Sequence, residues 1–408
     1  MPNKLTYIII GFSAAGANAA ESLRQLDPAA QITVLSEDER QLYLRLDLEG
    51  ILRGKTAADL SPRPADYWQE KCVDIVTVPA VQIDPRRKIV VAAAGQKLNY
   101  DRLLITSGAA PRRLGIPGAH RSRIVTYHTL DDAEKIHSMR HQVKRAVIIG
   151  GGILGLELAR AVLEYGWEVT LLIRGGYPGS PIVDASGSPL IAGSLEQAGV
   201  KVIYHDEAIA FDGENGHLRM VRTRQGRRIP ADFAAECIGV EPAVDFLRNS
   251  GLLTGNQLIV DSRLQTHNPD VFAAGDVALV REAEDRLIAC RTWAVAQAQA
   301  RVAAANMAGQ NQEWREGVQY NLDYLFGHEF AMIGAWEERH ATGRIIHEFS
   351  GADYYRAVVT RQGIIESALL LGSRTGDRLI RTLISRQAHV ESKITRLFEP
   401  DARPEDFL

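Results

Sequence analysis

A glycine-rich turn in the middle of the chain has the spacing that binds a dinucleotide. Gly150, Gly152 and Gly155 follow the apolar run 146–149 and precede a stretch of helical periodicity. In such a turn the first glycine permits the tight bend, the second lets the backbone approach a pyrophosphate, and the third lets the helix pack on the strand. The helix N-terminus then supplies amide donors to the phosphates. The spacing therefore predicts a βαβ unit that binds a dinucleotide.

The N-terminal turn has the same context but departs from the glycine pattern at one position. Gly11 and Gly16 stand on either side of Ser13, after the strand-like run 7–10 and before a helical pattern. Glu37 follows the glycines by roughly 20 residues, where a carboxylate accepts hydrogen bonds from an adenosine ribose. Two such units in one chain predict two dinucleotides, one held permanently and one exchanged as substrate.

The composition is that of an ordinary globular protein. A length of 408 residues, with 46% hydrophobic and 24% charged residues, predicts two or three domains. The net charge of -3 argues against a nucleic-acid-binding surface over the whole protein. No apolar run approaches the roughly 20 residues that cross a bilayer, and no signal peptide is evident. We therefore expect no membrane span and a cytoplasmic location.

The cysteines form no C-x-x-C pair and no cluster with histidine, so no metal site is predicted. Cys72, Cys237 and Cys290 are far apart in the sequence, and we expect all of them to be buried small hydrophobic residues. The histidines expected to be structural or surface residues rather than catalytic ones are His128, His205 and His328.

Further motifs, in order, resemble the pyridine nucleotide-disulfide oxidoreductase superfamily, in its rubredoxin reductase, ferredoxin reductase and nitrite reductase flavin-domain branch. In that branch the first loop commonly reads G-x-S-A-A-G, as residues 11–16 do, so Ser13 resembles a marker of the branch. Segments 100–112 and 126–136 resemble the family's crossover and the approach to its NAD domain. Segments 271–278 and 293–309 resemble the second FAD motif and the helix after it.

The resemblance implies an α/β fold with two Rossmann-like dinucleotide-binding domains and a C-terminal α/β domain. The FAD domain is expected over 1–112 and 245–317, with the NAD(P) domain inserted over 113–244. The C-terminal domain, 318–408, often contributes to a dimer interface in the family, which makes a homodimer possible. Its strand-like stretches are expected at 344–349, 355–362 and 366–372, followed by a helix from Asp377.

The resemblance also assigns candidate residues to the FAD site. Arg45 is the candidate to pair with FAD phosphates or to line the flavin site, and Asp276 matches the aspartate that hydrogen-bonds the ribityl or pyrophosphate region. Glu157 is similar to the glutamate that approaches the isoalloxazine from the NAD side, so Arg45 and Glu157 are the catalytic candidates. The residues expected to bind FAD are Gly11, Ser13, Ala14, Ala15, Gly16, Glu37, Arg45, Ala80, Val81, Ser107, Gly108, Arg112, Gly275, Asp276 and Trp293.

The second turn is expected to bind the nicotinamide dinucleotide. Ile173 stands where many NAD-specific members have an acidic residue, and Arg174 follows it, which permits a 2'-phosphate and favours NADPH over NADH. The basic stretch 222–228 could extend this site, could dock an acidic partner, or could be a solvated hairpin, which we favour. Segment 174–193 is richer in Gly, Pro and Ser than the family pattern. The residues expected to bind NAD(P) are Gly150, Gly152, Ile153, Leu154, Gly155, Arg174 and Gly239.

Segment 40–60 contains no cysteine, although the thiol-dependent members of the superfamily carry one or a pair there. Reduction of a disulfide or peroxide through a thiolate is therefore disfavoured. The implied reaction passes electrons from NADH or NADPH through FAD to a small electron-transfer protein such as rubredoxin or ferredoxin. Two alternatives stay open. One is a flavin subunit with a partner redox subunit in a nitrite-reductase-like complex, and the other is a redox-responsive flavoprotein of apoptosis-inducing-factor type.

Overall fold

The computed structural model describes residues 4–40, 42–282, 286–289, 292–315 and 317–407. Its residues divide into two units by their contacts. Unit 1 comprises Met1–Leu44, Ala57–Ala110 and Val240–Glu316, and unit 2 comprises Arg45–Thr56, Pro111–Gly239 and Gly317–Leu408. The domain boundaries drawn from the sequence motifs stay a prediction.

The strands are β1 (Thr6–Ile10), β2 (Gln31–Ser36), β3 (Val73–Thr77), β4 (Ala80–Asp84), β5 (Ile89–Ala92), β6 (Lys97–Asn99), β7 (Arg102–Ile105), β8 (Ala109–Pro111), β9 (Ile124–Val125), β10 (Arg145–Ile149), β11 (Glu168–Leu172), β12 (Lys201–Ile203), β13 (Ala208–Glu214), β14 (His217–Thr223), β15 (Arg228–Pro230), β16 (Phe233–Glu236), β17 (Val240–Pro242), β18 (Leu258–Val260), β19 (Val271–Ala273), β20 (Ala278–Arg281), β21 (Leu287–Ala289), β22 (Tyr320–Leu325), β23 (His328–Gly334), β24 (Arg344–Ser350), β25 (Tyr355–Arg361) and β26 (Ile364–Gly372).

The α-helices are α1 (Ala14–Leu26), α2 (Leu48–Leu52), α3 (Tyr67–Glu70), α4 (Leu130–Ser138), α5 (Ile153–Leu163), α6 (Ser188–Gln197), α7 (Trp293–Met307) and α8 (Asp377–Ser385). Short 3₁₀ helices cover Arg45–Asp47, Ala58–Leu60, Ala93–Gly95, Asp245–Leu247, Trp336–Glu338, Glu391–Phe398 and Pro404–Asp406.

Unit 1 is built on a parallel sheet of five strands in the order β19-β7-β1-β2-β3. The central strand β1 pairs with β2 on one side and with β7 on the other. Its residues Ile8 and Ile9 are 1% and 0% exposed, as the uninterrupted apolar run predicts for a strand covered on both faces. Helix α1 leaves the carboxyl end of β1 and packs against α7.

Unit 2 contains a second parallel sheet with an equivalent strand order, β12-β11-β10-β16-β9. Here β10 takes the central position of β1, and α5 follows it as α1 follows β1. Each sheet is therefore a βαβ unit extended by further strands, and β9, which precedes β10 in the chain, takes the edge position that β19 has in unit 1. The predicted α/β fold with two Rossmann-like units is confirmed.

The C-terminal part of unit 2 is an antiparallel sheet in the order β22-β23-β26-β25-β24. Its strands β24, β25 and β26 and the helix α8 lie where the sequence pattern predicts them. Strands β25 and β26 are central in this sheet, and their residues 357–359 and 368–371 are buried in succession. On one face Val358, Ala368 and Leu370 share a core cluster with Ile380 and Leu383 of α8.

The prediction that every cysteine is buried was wrong for Cys72, which is exposed, and Cys237 is only partly buried. Cys72 follows α3 in a tight bend with φ of 52°, and its carbonyl accepts a hydrogen bond from Nη2 of Arg24 at 2.8 Å. The bend turns the residue outward, which its apolar character does not reveal. Cys290 lies outside the described residues.

In the part of the chain that the structure describes, none of the helices combines the length and the apolar character needed to cross a membrane. Within the same residues, no three His, Cys, Asp or Glu side chains cluster so that they could hold a metal ion.

Candidate functional site

The first glycine of each turn is required by the chain itself. Gly11 and Gly150 have φ of 101° and 113°, a region that residues with a Cβ rarely adopt. A Cβ on Gly11 would lie 2.2 Å from the carbonyl oxygen of Thr106, and one on Gly150 would lie 2.1 Å from that of Cys237. Both turns bend against the carbonyl at the end of a neighbouring strand, so strain and overlap coincide at these positions.

The third glycine of each turn lets the helix start close to the bend. A Cβ on Gly16 would lie 2.0 Å from the carbonyl oxygen of Gly11, and one on Gly155 would lie 2.2 Å from that of Gly150. The two turns thus share the same internal packing, although one begins in unit 1 and the other in unit 2.

The second position of the turn places no such demand on the backbone. Ser13 and Gly152 both have extended backbones, with φ of -125° and -81°. The nearest atom to a Cβ on Gly152 is the carbonyl oxygen of Ser180, at 3.9 Å. Ser13 therefore fits the turn without strain, and its hydroxyl makes no capping hydrogen bond to α1. A glycine at this position serves the close approach of a ligand rather than the fold.

Both helix N-termini can bind an anion. The first hydrogen bond in each helix is donated by the residue four positions after the second turn position, Ala17 to Ser13 and Leu156 to Gly152, each at 3.0 Å. The amides before them, including those of Ala14 and Ala15 in α1 and of Ile153 and Leu154 in α5, have no acceptor inside the helix. Neither first turn contains an acidic residue. The two turns therefore fit the pyrophosphates of two dinucleotides.

Several other FAD candidates of unit 1 lie at the carboxyl ends of its parallel strands. Glu37 is exposed and directly follows β2, and Gly275 follows β19 with φ of 81°. A Cβ on Gly275 would lie 3.4 Å from Cβ of Ala15, so the structure brings Gly275 to the first turn of α1. Asp276 is exposed beside it. These candidates therefore lie at the same edge of the sheet as the first turn of α1.

Gln299 holds the Gly275 turn and was missed from the sequence. Its side chain is fully buried, and Oε1 accepts a hydrogen bond from the amide of Gly275 at 2.9 Å. Its Nε2 has no partner among the described residues. A glutamine on the buried face of an alanine-rich helix was the available signal, since a buried amide needs partners.

Among the remaining FAD candidates of unit 1, Ser107 lies beside the first turn, with its amide nitrogen 3.1 Å from the place of a Cβ on Gly11. Ser107 donates a hydrogen bond to the carbonyl of Ala243 at 2.8 Å, and Gly108 has φ of 69°. Ala80 and Val81 begin strand β4, where Val81 is 50% exposed. Trp293 is half-buried at the start of α7.

Arg45 lies in unit 2, and one N–H of its guanidinium has no acceptor among the described residues. Its Nη1 forms a hydrogen bond with Nε2 of His128 at 2.8 Å, while its Nε is buried without a partner among the described residues. A buried guanidinium N–H of this kind can donate to an acceptor atom of a ligand. Arg112 is exposed in the same unit, and its amide donates to the carbonyl of Gly239 at 2.9 Å.

Glu157 lies on α5, two residues after the last glycine of the second turn, beside a cavity of about 200 Å³ within unit 2. Burial is the largest cause that raises the pKa of its carboxyl, to about 8. Tyr127 interacts electrostatically with Glu157, and its hydroxyl is buried with no hydrogen-bond partner in the described part of the chain. Glu157 is therefore largely protonated at neutral pH and can donate or accept a proton.

The end of β11 buries Ile173 and exposes Arg174, the candidate that would contact the nicotinamide dinucleotide. Ile173 is buried, with Cδ1 2.6 Å from the place of a Cβ on Gly151, whereas Arg174 is exposed. The amide of Gly179 donates to the carbonyl of Gly151 at 2.7 Å, so the following loop closes on the turn. An arginine free of the core and next to the second strand can bind a 2'-phosphate.

The loop after Arg174 is anchored by the C-terminal part of unit 2. Nε1 of Trp336 donates to the carbonyl of Ile182 at 2.6 Å. Arg339 is 9% exposed and donates from Nε and Nη2 to one carboxylate oxygen of Asp184, at 2.9 and 2.7 Å. The segment that departs from the family pattern is therefore a fixed part of unit 2.

The basic stretch 222–228 forms the hairpin of β14 and β15. Arg222 pairs with Asp212 and Arg227 with Asp206, each at 2.7 Å, and Arg224 pairs with Glu207. Because these carboxylates neutralise most of its charge, the stretch matches the solvated hairpin that we favoured from the sequence.

Comparison with known proteins places this arrangement in a family. The family model described as pyridine nucleotide-disulphide oxidoreductase matches residues 5–300. The ferredoxin–NAD(+) reductase component of a 3-phenylpropionate/cinnamic acid dioxygenase from Photorhabdus laumondii is 30% identical over 400 residues, which cover 95% of this chain and 98% of that protein. An NADH-rubredoxin oxidoreductase from Clostridium acetobutylicum is 26% identical over 90% of each chain.

The crystal structure of a ferredoxin reductase from Rhodopseudomonas palustris has the same fold, with a TM-score of 0.89, 23% identity, and coverage of 98% of this chain and 99% of that one. The sequence match and the shared fold agree with the two dinucleotide turns seen in the structure. This chain is an oxidoreductase that belongs to the pyridine nucleotide-disulphide oxidoreductase family, in the branch of the ferredoxin and rubredoxin reductases.

Proposed function

We propose that this chain oxidises NADPH or NADH and passes the electrons through bound FAD to a small electron-transfer protein, a ferredoxin or a rubredoxin. The observation that carries the proposal is the pair of turns at Gly11 and Gly150, which share their bend, their packing and their open helix N-termini. A chain with two such turns holds two dinucleotides at once. The named activities of the ferredoxin and rubredoxin reductases among its relatives support the class of acceptor.

The residues of unit 1 would hold FAD. The helix amides of Ala14 and Ala15 would bind the pyrophosphate, and the hydroxyl of Ser13 would donate a hydrogen bond to it. The carboxylate of Glu37 would accept hydrogen bonds from the ribose hydroxyls. Bound FAD supplies the conversion between a hydride, which carries two electrons, and single electrons. The protein's contribution is to orient the dinucleotides, and the individual roles stay predictions.

In unit 2 the second turn would bind the substrate nucleotide. The guanidinium Nε of Arg45 is available to donate a hydrogen bond, and Glu157 is available to hold or release a proton near neutral pH. Cys237 does not supply a thiolate, because burial raises the pKa of its thiol to about 12. This supports electron transfer without a cysteine relay.

We further propose that Arg174 makes the enzyme prefer NADPH. In the variant Arg174→Ala we expect the KM for NADPH to rise about tenfold, because a charge-assisted hydrogen bond to the 2'-phosphate is lost. The KM for NADH should change little, since NADH carries no 2'-phosphate. The control is Arg386→Ala, which removes an exposed arginine at the end of α8 and should leave both KM values unchanged. Equal effects of Arg174→Ala on NADPH and NADH would refute the preference.

The function itself is tested by steady-state oxidation of NADPH or NADH by the holoprotein. We expect the rate to depend on added rubredoxin or [2Fe–2S] ferredoxin and to saturate with it. Co-purification of a stoichiometric redox subunit would favour the multisubunit alternative. A cytoplasmic location and a homodimer stay predictions.

A further inference from the structure

The cavity beside Glu157 in unit 2 is rich in carboxylates. It is bordered by α2, α5 and β22, and β22 contacts α5. The lining residues include Glu49, Arg53, Glu157, Arg160, Asp323 and Tyr324. Tyr324 is 50% exposed, so the cavity has access to solvent at this rim.

Both arginines of the cavity are directed to Glu49. Nη2 of Arg53 lies 2.9 Å from Oε1 of Glu49, and Nε of Arg160 lies 3.6 Å from the same oxygen. Arg53 also pairs with Glu164, at 2.9 Å. Because these cations are engaged, the carboxyls of Glu157 and Asp323 have no ion-pair partner among the residues that the structure describes.

The surroundings of Glu157 and Asp323 favour their neutral forms. After burial, the carboxylates of Asp323 and Glu49 raise the pKa of Glu157 further, and only Arg160 lowers it. Burial also raises the pKa of Asp323, against the hydrogen bond that it accepts from the amide of Tyr324. The pKa of both carboxyls is therefore raised, by burial in each case and for Glu157 also by the neighbouring carboxylates.

The other titratable groups around Glu157 add no charge. Burial raises the pKa of the Tyr127 hydroxyl well above its ordinary value, and Glu157 raises it further. The Cys237 thiol is also kept protonated, by burial first and then by Asp132, Glu157 and Glu236. Arg160 on α5 is thus the cation that lowers the pKa of Glu157, and its guanidinium also contacts the carboxylate of Glu49.

We propose that Asp323 is a positioning residue that sets the protonation of Glu157, and that these two carboxyls hold one exchangeable proton between them at neutral pH. The exchange is the ionisation of a carboxylic acid, RCOOH to RCOO⁻ and H⁺, with the proton passing to or from solvent through the cavity. The role of this proton rests on the proposed function. There a hydride brings negative charge to the flavin, and by resemblance Glu157 approaches the flavin from the nicotinamide side. A proton held there offsets that charge.

The test is a pH titration of the oxidised holoprotein by infrared spectroscopy, which follows the carbonyl stretch of protonated carboxylic acids. Ordinary Asp and Glu side chains are ionised above about pH 6. We expect the wild type to retain one protonated carboxyl at pH 7, and we expect Glu157→Gln to lose it. In Asp323→Asn the titration midpoint of the Glu157 carboxyl should fall by about 1 pH unit, because a neighbouring negative charge is removed.

Two variants separate this role from a merely structural one. Asp323→Glu keeps the carboxyl and should keep the high midpoint, whereas Glu329→Gln removes an acid from strand β23 of the same sheet and should leave the midpoint unchanged. A wild type with no protonated carboxyl at pH 7, or an unchanged midpoint in Asp323→Asn, would overturn the inference. The titration needs no nucleotide and no turnover, so its failure is distinguishable from failure of the proposed reductase activity.

Discussion

At the residue scale, the three positions of each dinucleotide turn answer to different constraints. Gly11 and Gly150 are fixed by a neighbouring strand carbonyl and by a left-handed φ, so the chain could not fold the same way with a side chain there. At the second position, Ser13 and Gly152 share an extended backbone with room for a Cβ. Ser13 is therefore compatible with the turn, and its role in binding a ligand stays a prediction.

The variant pair Gly150→Ala and Gly152→Ala separates these constraints within one turn. We expect Gly150→Ala to lower the free energy of unfolding by at least about 2 kcal/mol, because its Cβ would overlap the Cys237 carbonyl in a strained backbone. Gly152→Ala should change it by less than about 0.5 kcal/mol, since no atom lies close. Denaturant unfolding of both variants measures the difference. Equal stabilities would show that the bend does not depend on Gly150.

The sequence predicted the turn residues because their spacing is local and because the first and third glycines have a steric cause. It could not predict that Glu157 and Asp323 line the same cavity, since those residues lie on α5 and β22, far apart in the chain, and no motif joins them. His128 was likewise assigned a structural role, and only the structure shows it bonded to Arg45. Long-range contacts between polar side chains leave no periodic signal.

At the element scale, the loop between β11 and α6 is the part of the nucleotide-binding unit that differs from the family pattern. Its glycines and prolines suggest a flexible backbone. Trp336 and Arg339 nevertheless hold the loop by hydrogen bonds to the carbonyl of Ile182 and the carboxylate of Asp184. The loop is thus held by residues that follow β23 in the antiparallel sheet. Composition alone describes the loop's backbone freedom and not the contacts that remove it.

The anchor predicts a large effect of Arg339→Ala on stability. Removing the guanidinium leaves the Asp184 carboxylate, itself 14% exposed, without its buried partner, which costs about 3 kcal/mol. Chemical denaturation of the holoprotein measures this loss. Arg339→Lys is the matched control, because it keeps the charge but not the two-pronged hydrogen bond, and it should fall between wild type and Arg339→Ala. A wild-type stability in Arg339→Ala would mean that the loop is held elsewhere.

Elements with a strong local pattern were predictable, including both βαβ units and strands β24 to β26. Strands such as β1 and β10 are uninterrupted apolar runs, whereas the apolar residues of the helices recur at intervals of about 3.6 residues, so the sequence alone indicates strand or helix. The exposed bend at Cys72 was not predictable in this way, because its outward position depends on a left-handed backbone and on a hydrogen bond to Arg24.

At the scale of the whole molecule, the chain repeats one dinucleotide-binding architecture in two units. The sheets of units 1 and 2 have equivalent strand orders, and in each the central strand leads into a glycine turn and a helix. The duplication gives one chain two turns of the kind that binds a dinucleotide, as the proposed resident and exchangeable dinucleotides require. The antiparallel sheet of unit 2 adds Asp323 to the surroundings of Glu157, beyond what the repeated architecture supplies.

The central claim is that the chain moves electrons from a nicotinamide through FAD to a small protein carrier. Anaerobic stopped-flow absorbance of the FAD-loaded protein tests it most directly, in two successive mixes. We predict that NADPH or NADH bleaches the flavin within one turnover, and that oxidised rubredoxin or [2Fe–2S] ferredoxin then restores its absorbance. A flavin that neither nucleotide bleaches, or that stays reduced when both carriers are added, would contradict the claim.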